Sequence, residues 1–465
     1  MQLGDLFDDA PLDIVTASIE VDRVEIDSRA CGPGVLFLAV PGSREDGARY
    51  VADAVARGAV AVMASAPMDV GAPVVVIPPS QVRAMVAHVS AAIVGHPDRR
   101  VELVGVTGTN GKTTVTSLVA QLVQRLGWNG ANIGTLTNVR TTPAAPELFR
   151  TIDAIVRGFD PAAARSVLAL EVSSHALDQG RVDGLQFAVA AFTNLSHDHL
   201  DYHGSMEAYY RAKAQLFTPE RARRAVIWVD DPYGARLADE STIATTAVSM
   251  ADVSSVTMSL IGTTFFWRGH LVRSPLVGAY NVDNAVMALS IVSALGADES
   301  LVAEALAEVR AVPGRFEIVH SHDVVAIVDY AHTPAGLDHL LRDVRSLAPS
   351  ARIITVFGCG GDRDHDKRPA MGAAAATLSD IVYVTSDNPR TEDPDGIIDA
   401  IMAGVENLSN VHREVDRRRA ISLALGEARP GDVVVVAGKG HETTQSIGDA
   451  VLEFDDRAVI RELMK

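Results

Sequence analysis

The sequence predicts a three-domain α/β protein in which each domain is a sheet covered by helices. Short apolar runs rich in β-branched residues alternate with stretches of helical periodicity, the pattern of repeated strand–helix units. The 465 residues correspond to about three domains of ordinary size. We place the domains at 1–98, 99–311 and 312–465: a small α/β domain, a central domain with a mostly parallel sheet, and a Rossmann-like α/β domain.

The first domain has three predicted strands and two predicted helices. The strands are Val35–Val40, Ala59–Ala64 and Val74–Ile77, and the helices are Tyr50–Arg57 and Gln81–Ile93. Two polar turns, Asp27–Arg29 and Pro41–Arg44, carry hydroxyl and guanidinium groups that could hold a phosphate or a sugar, although turn chemistry explains them about as well. The proline-broken stretch His96–Arg100 is a plausible linker.

The central domain opens with the glycine-rich stretch Gly105–Thr114. It lies between a predicted strand, Val101–Val106, and a predicted helix, Val115–Leu126, which is the layout of a phosphate-binding loop. Backbone N–H groups and the helix dipole would hold phosphate oxygens, Lys112 would reach the β- and γ-phosphates, and Thr113 would ligate Mg²⁺. The usual pattern has glycine at position 106, where this chain has valine. A plain strand-to-helix turn is the alternative, and the ordered Gly-Lys-Thr-Thr argues against it.

Further polar residues follow the next strands of this domain. Glu171 ends the predicted strand that begins at Val167, where a carboxylate is well placed to hold Mg²⁺. A segment with three histidines, residues 193–204, follows the strand Phe187–Phe192. Its H-x-H-x₃-H spacing matches no zinc pattern, so we favour Mg²⁺ with one histidine contributing. Lys213 lies in a helical stretch. Its sequence context alone predicts a lysine on the solvated surface.

Three further segments complete the central domain. Residues 225–229 resemble a strand, and residues 250–276 resemble β structure with turns. A helix is predicted from Gly278 to Leu295. Asn281 and Asn284 are one turn apart on it, so both amides could face one ligand, while helix capping explains either residue singly.

Four polar clusters in the last domain each follow a predicted strand. The strands are Val324–Val328, Ile353–Phe357, Ile381–Thr385 and Val433–Val436, and the clusters are Asp329–Pro334, Gly358–Pro369, Ser386–Arg390 and Ala437–Glu442. The carboxyl ends of parallel strands share one edge of a sheet, so the clusters should meet at one ligand crevice. That convergence indicates a site more strongly than any single cluster does.

Composition limits the classes of function. The net charge of −18 argues against a broad nucleic-acid-binding surface. The two cysteines, Cys31 and Cys359, provide no disulfide framework, which fits a reducing cytoplasm. The acidic start of the chain is unlike a signal peptide, and no apolar run reaches the length of a membrane span. We therefore expect a cytoplasmic protein, acting as a monomer, with no nucleic-acid partner and no membrane span.

With these motifs in view, nearly the whole chain resembles the Mur ligases. The resemblance rests on T-G-T-N-G-K-T-T, E-V-S-S-H, N-L-S-H-D-H-L-D-Y-H-G, D-Y-A-H-T-P, G-D-R-D-x-x-K-R-P, D-N-P-R and A-G-K-G-H-E. D-N-P-R resembles the type that adds meso-diaminopimelate as the third residue. The resemblance implies that ATP phosphorylates the D-glutamate carboxylate of UDP-N-acetylmuramoyl-L-alanyl-D-glutamate, and that the amine of diaminopimelate attacks the acyl phosphate. It thus implies a part in peptidoglycan synthesis, cell shape and division.

The resemblance also assigns roles by position. The implied catalytic residues are Lys112, Glu171, His199 and Lys213. The implied ATP contacts are Gly108, Thr109, Asn110, Gly111, Lys112, Thr113, Thr114, Asn281, Asn284, Arg315 and Asp329. The implied UDP-substrate contacts are Ser28, Ser43, Arg44, Thr141, Thr142, Ser173, Gln179 and Arg181. The implied diaminopimelate contacts are Arg363, Asp387, Asn388, Pro389, Arg390, Gly438 and Glu442.

Metal binding by Lys213 requires a modification, because a cationic ammonium cannot ligate Mg²⁺. The resemblance implies that this lysine reacts with CO₂ to give a carbamate, N6-carboxylysine. One Mg²⁺ would then be held by Thr113 and Glu171, and a second by His199 and the modified Lys213. Because ATP and the acceptor carboxylate are both anions, such cations are needed to neutralise them.

Charge favours diaminopimelate over lysine as the amino acid. Arg390 can grip a distal carboxylate in bidentate fashion, and Glu442 can pair a distal ammonium. Lysine or another diamino acid remains an alternative within the same reaction. Folylpolyglutamate synthetase shares the ATP core but not the D-N-P-R and G-K-G-H-E pair. The alternative from another class of protein is a P-loop switch or scaffold, which binds nucleotide without catalysing ligation. That alternative gives the polar clusters of the last domain no function.

Overall fold

The chain folds into two compact units. A computed structural model describes residues 1–7, 13–42, 45–136, 140–321, 323–406 and 409–465. The first unit contains residues 1–251 and 286–302, and the second contains residues 252–285 and 303–465. Five sheets carry the mixed α/β architecture, so the predicted fold class is confirmed. The two units divide the chain differently from the three domains predicted above, whose boundaries stay a prediction.

The first unit begins with a four-stranded parallel sheet in the order β1-β2-β3-β4. Its strands are β1 (Arg23–Glu25), β2 (Val35–Leu38), β3 (Ala61–Ala64) and β4 (Val74–Val76), and its helices are α1 (Leu3–Leu6), α2 (Ile14–Ala17), α3 (Val51–Ala56) and α4 (Val82–Ala92). Every residue of β2 and β3 is buried, which explains why continuous apolar runs encode them.

The glycine-rich loop belongs to a six-stranded parallel sheet in the order β10-β9-β8-β5-β7-β6. Its strands are β5 (Glu102–Thr107), β6 (Asn129–Ile133), β7 (Ser166–Glu171), β8 (Val189–Phe192), β9 (Arg224–Trp228) and β10 (Ala244–Val248). Its helices are α5 (Lys112–Arg125), α6 (Ala145–Arg157), α7 (Ser174–Asp178), α8 (Leu200–His203), α9 (Met206–Ala214) and α10 (Pro232–Glu240). One apolar core runs from the first sheet into this one.

Two helices contribute residues to both units. They are α11 (Ala279–Ala294) and α12 (Glu299–Ala305). In the second unit, residues predicted as β structure with turns form a three-stranded antiparallel sheet. Its strands are β11 (Val253–Ser259), β12 (Gly262–Trp267) and β13 (His270–Ser274).

The largest sheet of the second unit has the order β14-β15-β19-β16-β17-β18, and only β14 runs antiparallel to its neighbour. Its strands are β14 (Glu317–Ser321), β15 (Val325–Asp329), β16 (Ile353–Phe357), β17 (Ile381–Val384), β18 (Val411–Arg413) and β19 (Val433–Ala437). The helices are α13 (Pro334–Leu347), α14 (Lys367–Leu378), α15 (Pro394–Met402), α16 (Arg417–Glu427) and α17 (Asp456–Leu463). A hairpin follows, formed by β20 (Thr444–Ile447) and β21 (Ala450–Glu453).

The apolar residues of this sheet face two cores, one on each side. Both faces of a largely parallel sheet are therefore covered by helices, as expected for a doubly wound domain. None of the described helices combines the length and the apolar character that crossing a bilayer requires.

Candidate active site

The glycine-rich loop connects the end of β5 to the start of α5, as predicted. Gly111 precedes the helix with a φ of 85°, and a side chain at Gly108 would place its Cβ 1.9 Å from Thr193 Oγ1. The loop is fastened to the segment after β8: the Thr109 N–H donates to the Asn194 carbonyl at 2.9 Å, and the Asn110 N–H donates to Asn194 Oδ1 at 3.0 Å. These glycines let the loop lie directly against that segment.

Lys112 curls back over the loop. Its Nζ donates to the carbonyl oxygens of Gly108 at 2.9 Å and Thr109 at 2.8 Å. Thr113 and Thr114 follow in the first turn of α5, and both are buried. The phosphate-binding geometry predicted for residues 108–114 is therefore observed as a local structure, while their role with ATP stays a prediction at this point.

Glu171 lies at the end of β7, beside β5 in the sheet, and is buried. Its Oε2 accepts the Thr113 hydroxyl at 3.0 Å, and its Oε1 accepts the Thr135 N–H at 2.8 Å. The separation of 3.0 Å between Thr113 Oγ1 and Glu171 Oε2 is about that of adjacent ligands in an octahedral Mg²⁺ shell. Both groups are hard oxygen donors, so this pair fits the cation that the resemblance implies.

Lys213 is not the surface residue that its helix alone indicates. It is 1% exposed, its Nζ donates to the Gly108 carbonyl at 2.7 Å, and it lies 4.6 Å from the centre of the Tyr209 ring. Burial, with the nearby charge of Lys112, lowers the pKa of Lys213 well below its usual value. Lys213 thus shares the Gly108 carbonyl with Lys112.

Three histidines gather near Lys213, but not the three suggested by the H-x-H-x₃-H spacing. His175 packs with His199 at 5.0 Å and with His203 at 5.5 Å between ring centres. Burial lowers the pKa of His175 to about 4. Within the part of the chain that the structure describes, no group of three or more histidine, cysteine, aspartate or glutamate side chains is arranged to hold a metal ion.

Four residues predicted to contact the sugar and peptide meet beside Glu171. The Thr142 hydroxyl donates to the Glu171 carbonyl at 2.8 Å and accepts the Ser173 N–H at 3.1 Å. Arg181 donates to the Thr142 carbonyl at 2.9 Å and to Gln179 Oε1 at 2.6 Å. These hydrogen bonds make one polar surface from residues that are far apart in sequence.

The other predicted substrate contacts have different surroundings. Thr141 accepts the Thr135 hydroxyl at 3.3 Å. Ser28 is buried in a short 3₁₀ helix, and its hydroxyl hydrogen bonds to Asp53, which lowers the pKa of that carboxyl. Ser43 and Arg44 lie outside the described residues.

The predicted ATP contacts are divided between the units, with residues 108–114 in the first and four residues in the second. Asn281 and Asn284 are buried, and Asn284 Nδ2 donates to Asn281 Oδ1 at 3.3 Å. Asp329 accepts the N–H groups of Phe316 and Ala331, each at 2.7 Å, and burial raises its pKa. Arg315, which precedes β14, lies 4.3 Å from the centre of the ring of Tyr330, the residue after β15.

The polar clusters after β15, β16, β17 and β19 do meet at one edge of the sheet, as predicted. The Gly438 N–H donates to the Asp329 carbonyl at 3.1 Å, and the Gly361 N–H donates to the Asn388 carbonyl at 2.9 Å. Asn388 Nδ2 donates to Glu442 Oε2 at 2.7 Å. These contacts gather residues 360–363, 387–390 and 438–442 at one polar edge, which we call the amino-acid crevice after the ligand that the resemblance implies.

Arg390 has a strained backbone with a φ of 53°, and the β20–β21 hairpin supports it. The Arg390 N–H donates to the Ser446 carbonyl at 3.0 Å, and its carbonyl accepts the Gly448 N–H at 2.6 Å. Its Nη1 donates to the Gly361 carbonyl, and the rest of the guanidinium forms no hydrogen bond to a described residue. The Arg390 guanidinium therefore keeps N–H donors that can hydrogen bond to a carboxylate.

The remaining crevice residues differ in burial. Asp387 and Asn388 are buried, and a Cβ on Gly438 would lie 2.6 Å from Asp387 Oδ2, so glycine is needed there. Pro389 accepts the Glu392 N–H at 3.1 Å. Arg363 is exposed and forms no hydrogen bond to a described residue.

A buried ion pair that sequence reasoning missed lies beneath this crevice. Arg417 and Asp456 are both fully buried and pair through two hydrogen bonds of 2.8 and 2.7 Å. Arg417 also donates to the carbonyls of Ser386 at 3.3 Å and Ala437 at 2.9 Å, which are the first residues of two of the polar clusters. No sequence signal marks this pair, since charged residues on helices usually face solvent.

The phosphate loop, the buried carboxylate beside it and the polar sheet edge define an ATP-dependent ligase of the Mur type. The chain belongs to the Mur ligase family. Family models match over almost its full length: "Mur ligase family, catalytic domain" at residues 20–105, "Mur ligase middle domain" at 106–292, and "Mur ligase, glutamate ligase domain" at 314–440.

Several relatives of this chain carry the same name. The chain is 43% identical over 471 residues to a UDP-N-acetylmuramoyl-L-alanyl-D-glutamate–2,6-diaminopimelate ligase from Nostoc sp., covering 95% of this chain and 94% of that relative. It is 42% identical to the ligase of that name from Solibacter usitatus, covering 100% and 98%. A solved structure of a ligase with this name superimposes with a TM-score of 0.69 at 32% identity, covering 100% of this chain and 98% of the other.

Proposed function

We propose that this protein adds meso-diaminopimelate to UDP-N-acetylmuramoyl-L-alanyl-D-glutamate, with ATP converted to ADP and phosphate. The observation that carries the proposal is the amino-acid crevice, where Arg390, Asp387 and Glu442 offer one cation and two anions. Diaminopimelate has a distal carboxylate and a distal ammonium that such a set would match. The names of relatives more than 40% identical over nearly the whole chain support the same reaction.

The reaction brings two anions together, so the chain must supply positive charge. Lys112 would hold the phosphates of ATP once it leaves the loop carbonyls that it now contacts. Thr113 and Glu171 would hold a Mg²⁺ ion, which neutralises phosphate charge when bound. The polar surface around Thr142, Ser173, Gln179 and Arg181 would orient the UDP-linked acceptor so that its D-glutamate carboxylate faces the γ-phosphate.

The covalent steps follow from this arrangement. A carboxylate oxygen of the acceptor forms a bond to the γ-phosphorus, and the bond to the ADP oxygen breaks. The amino nitrogen of diaminopimelate, as a neutral amine, then forms a bond to the acyl carbon. The bond from that carbon to the phosphate oxygen breaks, and the nitrogen loses one proton as phosphate leaves. We also assign Asn281, Asn284, Arg315 and Asp329 to ATP.

Lys213 is proposed to be a carbamate in the active enzyme. Its neutral amine nitrogen would bond to the carbon of CO₂ and release a proton, leaving two hard oxygens beside His199. Its burial against the Gly108 carbonyl and next to Lys112 supports this, since an anion there would remove the conflict between two neighbouring cations.

The reaction is tested by measuring ADP formation with purified protein, ATP, UDP-dipeptide and diaminopimelate. ADP should form at the full rate only when both acceptor and amino acid are present, and mass spectrometry should find the amide product. ADP formation at a rate that depends on neither the acceptor nor the amino acid would instead support a P-loop switch. Equal turnover of lysine would move the assignment to a lysine-adding ligase.

A further inference from the structure

Lys439 is a fully buried lysine in the amino-acid crevice that the proposed reaction leaves without a role. It lies in the G-K-G-H-E segment after β19 and is 0% exposed. Its Nζ donates to the Thr444 carbonyl at 2.7 Å, to Glu442 Oε2 at 3.0 Å and to Asn388 Oδ1 at 3.3 Å. An ammonium has three N–H donors, and all three are used. Lys439 therefore acts on its neighbours and does not bind a ligand itself.

The contacts of Lys439 fix the orientation of the Asn388 amide. Asn388 Oδ1 accepts from Lys439 Nζ and from the Ser446 N–H at 2.9 Å, and both of these groups can only donate. The amide nitrogen must then face the carboxylate, where it donates to Glu442 Oε2. The flipped amide would bring its NH₂ against an ammonium and a backbone N–H.

The same contacts divide the two oxygens of Glu442. Oε2 accepts both the Lys439 ammonium and the Asn388 amide, whereas Oε1 accepts no hydrogen bond from a described residue. Glu442 is itself partly exposed, with 31% of its side chain accessible. One oxygen is anchored and the other is available to a cation entering the crevice.

We propose that Lys439 is a positioning residue that selects amino acids carrying a distal amine, because it holds Glu442 with one oxygen facing the crevice. This inference rests on the proposed function. The crevice contains three acidic residues and three basic residues, whose charges sum to zero: Asp362, Asp387 and Glu442, and Arg363, Arg390 and Lys439. That sum matches the neutral sum of a distal ammonium and a distal carboxylate. Without Lys439, the carboxylate of Glu442 keeps only the Asn388 amide as an anchor and loses its fixed direction.

A purely structural role for Lys439 predicts a different outcome. Its bond to the Thr444 carbonyl could simply hold the start of the β20–β21 hairpin, which supports Arg390. In that case its loss would weaken the use of every amino acid to a similar extent. Selection through Glu442 instead affects only those substrates that have the distal amine.

The test compares diaminopimelate with 2-aminopimelate, which has the same chain and distal carboxylate but lacks the distal amine. kcat/KM for each is measured by amino-acid-dependent ADP formation with the UDP-dipeptide, in the wild-type protein and in Lys439→Met. We expect kcat/KM for diaminopimelate to fall about 10- to 100-fold, as for losses of residues that orient a binding group. The value for 2-aminopimelate should change less than about threefold by the same reasoning, and KM for ATP should be unchanged.

A double variant and a surface variant serve as controls. Lys439→Met combined with Glu442→Gln replaces the charge pair by neutral groups and leaves no charge without its partner, so this variant allows the test if the single variant does not fold. Its preference for diaminopimelate should equal that of Glu442→Gln alone, because Lys439 acts through Glu442. Arg418→Met, at an exposed ion pair with Glu462, should leave both substrates unaffected.

Two results would overturn the inference: an unchanged preference in Lys439→Met, or an equal loss for both amino acids. A further loss of preference in the double variant beyond Glu442→Gln would also contradict it. Wild-type protein that forms no product with diaminopimelate would refute the proposed function instead, so the two failures are distinguishable.

Discussion

Replacing Arg417 by methionine should destabilise the second unit strongly. The substitution leaves Asp456, which is fully buried, without its cation, and it removes the donors to the Ser386 and Ala437 carbonyls. Breaking a buried ion pair by removing one partner costs about 3–5 kcal/mol. For a unit of this size, the melting temperature should fall by roughly 6–20 °C.

The assay is differential scanning calorimetry of the wild-type protein, Arg417→Met and the double variant Arg417→Met with Asp456→Leu. The double variant should melt above the single variant, because two apolar side chains leave no uncompensated charge. Arg418→Ala is the matched control: its partner Glu462 is exposed, so the change should be within about 1 kcal/mol. If Arg417→Met melted like Arg418→Ala, the ion pair would not hold this edge of the sheet together.

Three further predictions concern the first unit. Gly108→Ala should lower kcat/KM for ATP at least about tenfold, because the added Cβ would lie 1.9 Å from Thr193 Oγ1, while Gly426→Ala, with open space around it, should not. Asp98 has a buried Oδ1 with no hydrogen-bond partner among the described residues, and burial raises its pKa. The wild-type protein therefore loses stability as pH rises from the ordinary pKa of a carboxyl group through the raised pKa of Asp98. The Asp98→Asn variant should be more stable than the wild type by about 1 kcal/mol at pH 7. In urea titrations this gain should vanish toward pH 4. Carbon-13-labelled bicarbonate should give a carbamate signal in the active enzyme that Lys213→Ala lacks, and a fully active Lys213→Ala protein with no such signal in the wild type would contradict the modification.

The sequence predicted the interiors of the sheets better than their edges. The strands β2, β3, β5, β7, β8, β9, β15, β16, β17 and β19 all appear as apolar runs, because both of their faces are covered. One edge strand, β4, was also predicted from its apolar run. The strands that the sequence did not reveal, β1, β6, β10, β14 and β18, each lie at the edge of a sheet. In β10, for example, four of five residues are at least partly exposed, so no apolar run marks it. The β20–β21 hairpin is also mostly exposed, and for the same reason the sequence did not predict it.

Helix starts show a related limit. Periodicity predicted a helix from Val115, whereas α5 begins at Lys112. The first turn of α5 carries polar residues, and Lys112 contacts the loop, so the apolar pattern starts later than the helix does.

The parts of the candidate site that carry a recognisable sequence motif could be predicted from the sequence. The phosphate loop lies between a strand and a helix as expected, and the polar clusters of the second unit meet at one sheet edge, as expected from parallel-sheet topology. Buried cations were not predictable, because burial of Lys439 and Arg417 depends on partners such as Asn388 and Asp456 that are distant in sequence. Only the fold brings those partners together.

The central claim is that the charges of the amino-acid crevice select diaminopimelate. The most direct measurement is the ratio of kcat/KM for diaminopimelate to that for L-lysine, with purified protein, ATP and the UDP-dipeptide. Lysine would leave Arg390 without a carboxylate, at a cost of about 2–5 kcal/mol, so the ratio should lie between about 30 and 5,000 and should collapse in Arg390→Ala. A ratio near one in the wild-type protein, or one that Arg390→Ala leaves intact, would contradict the account.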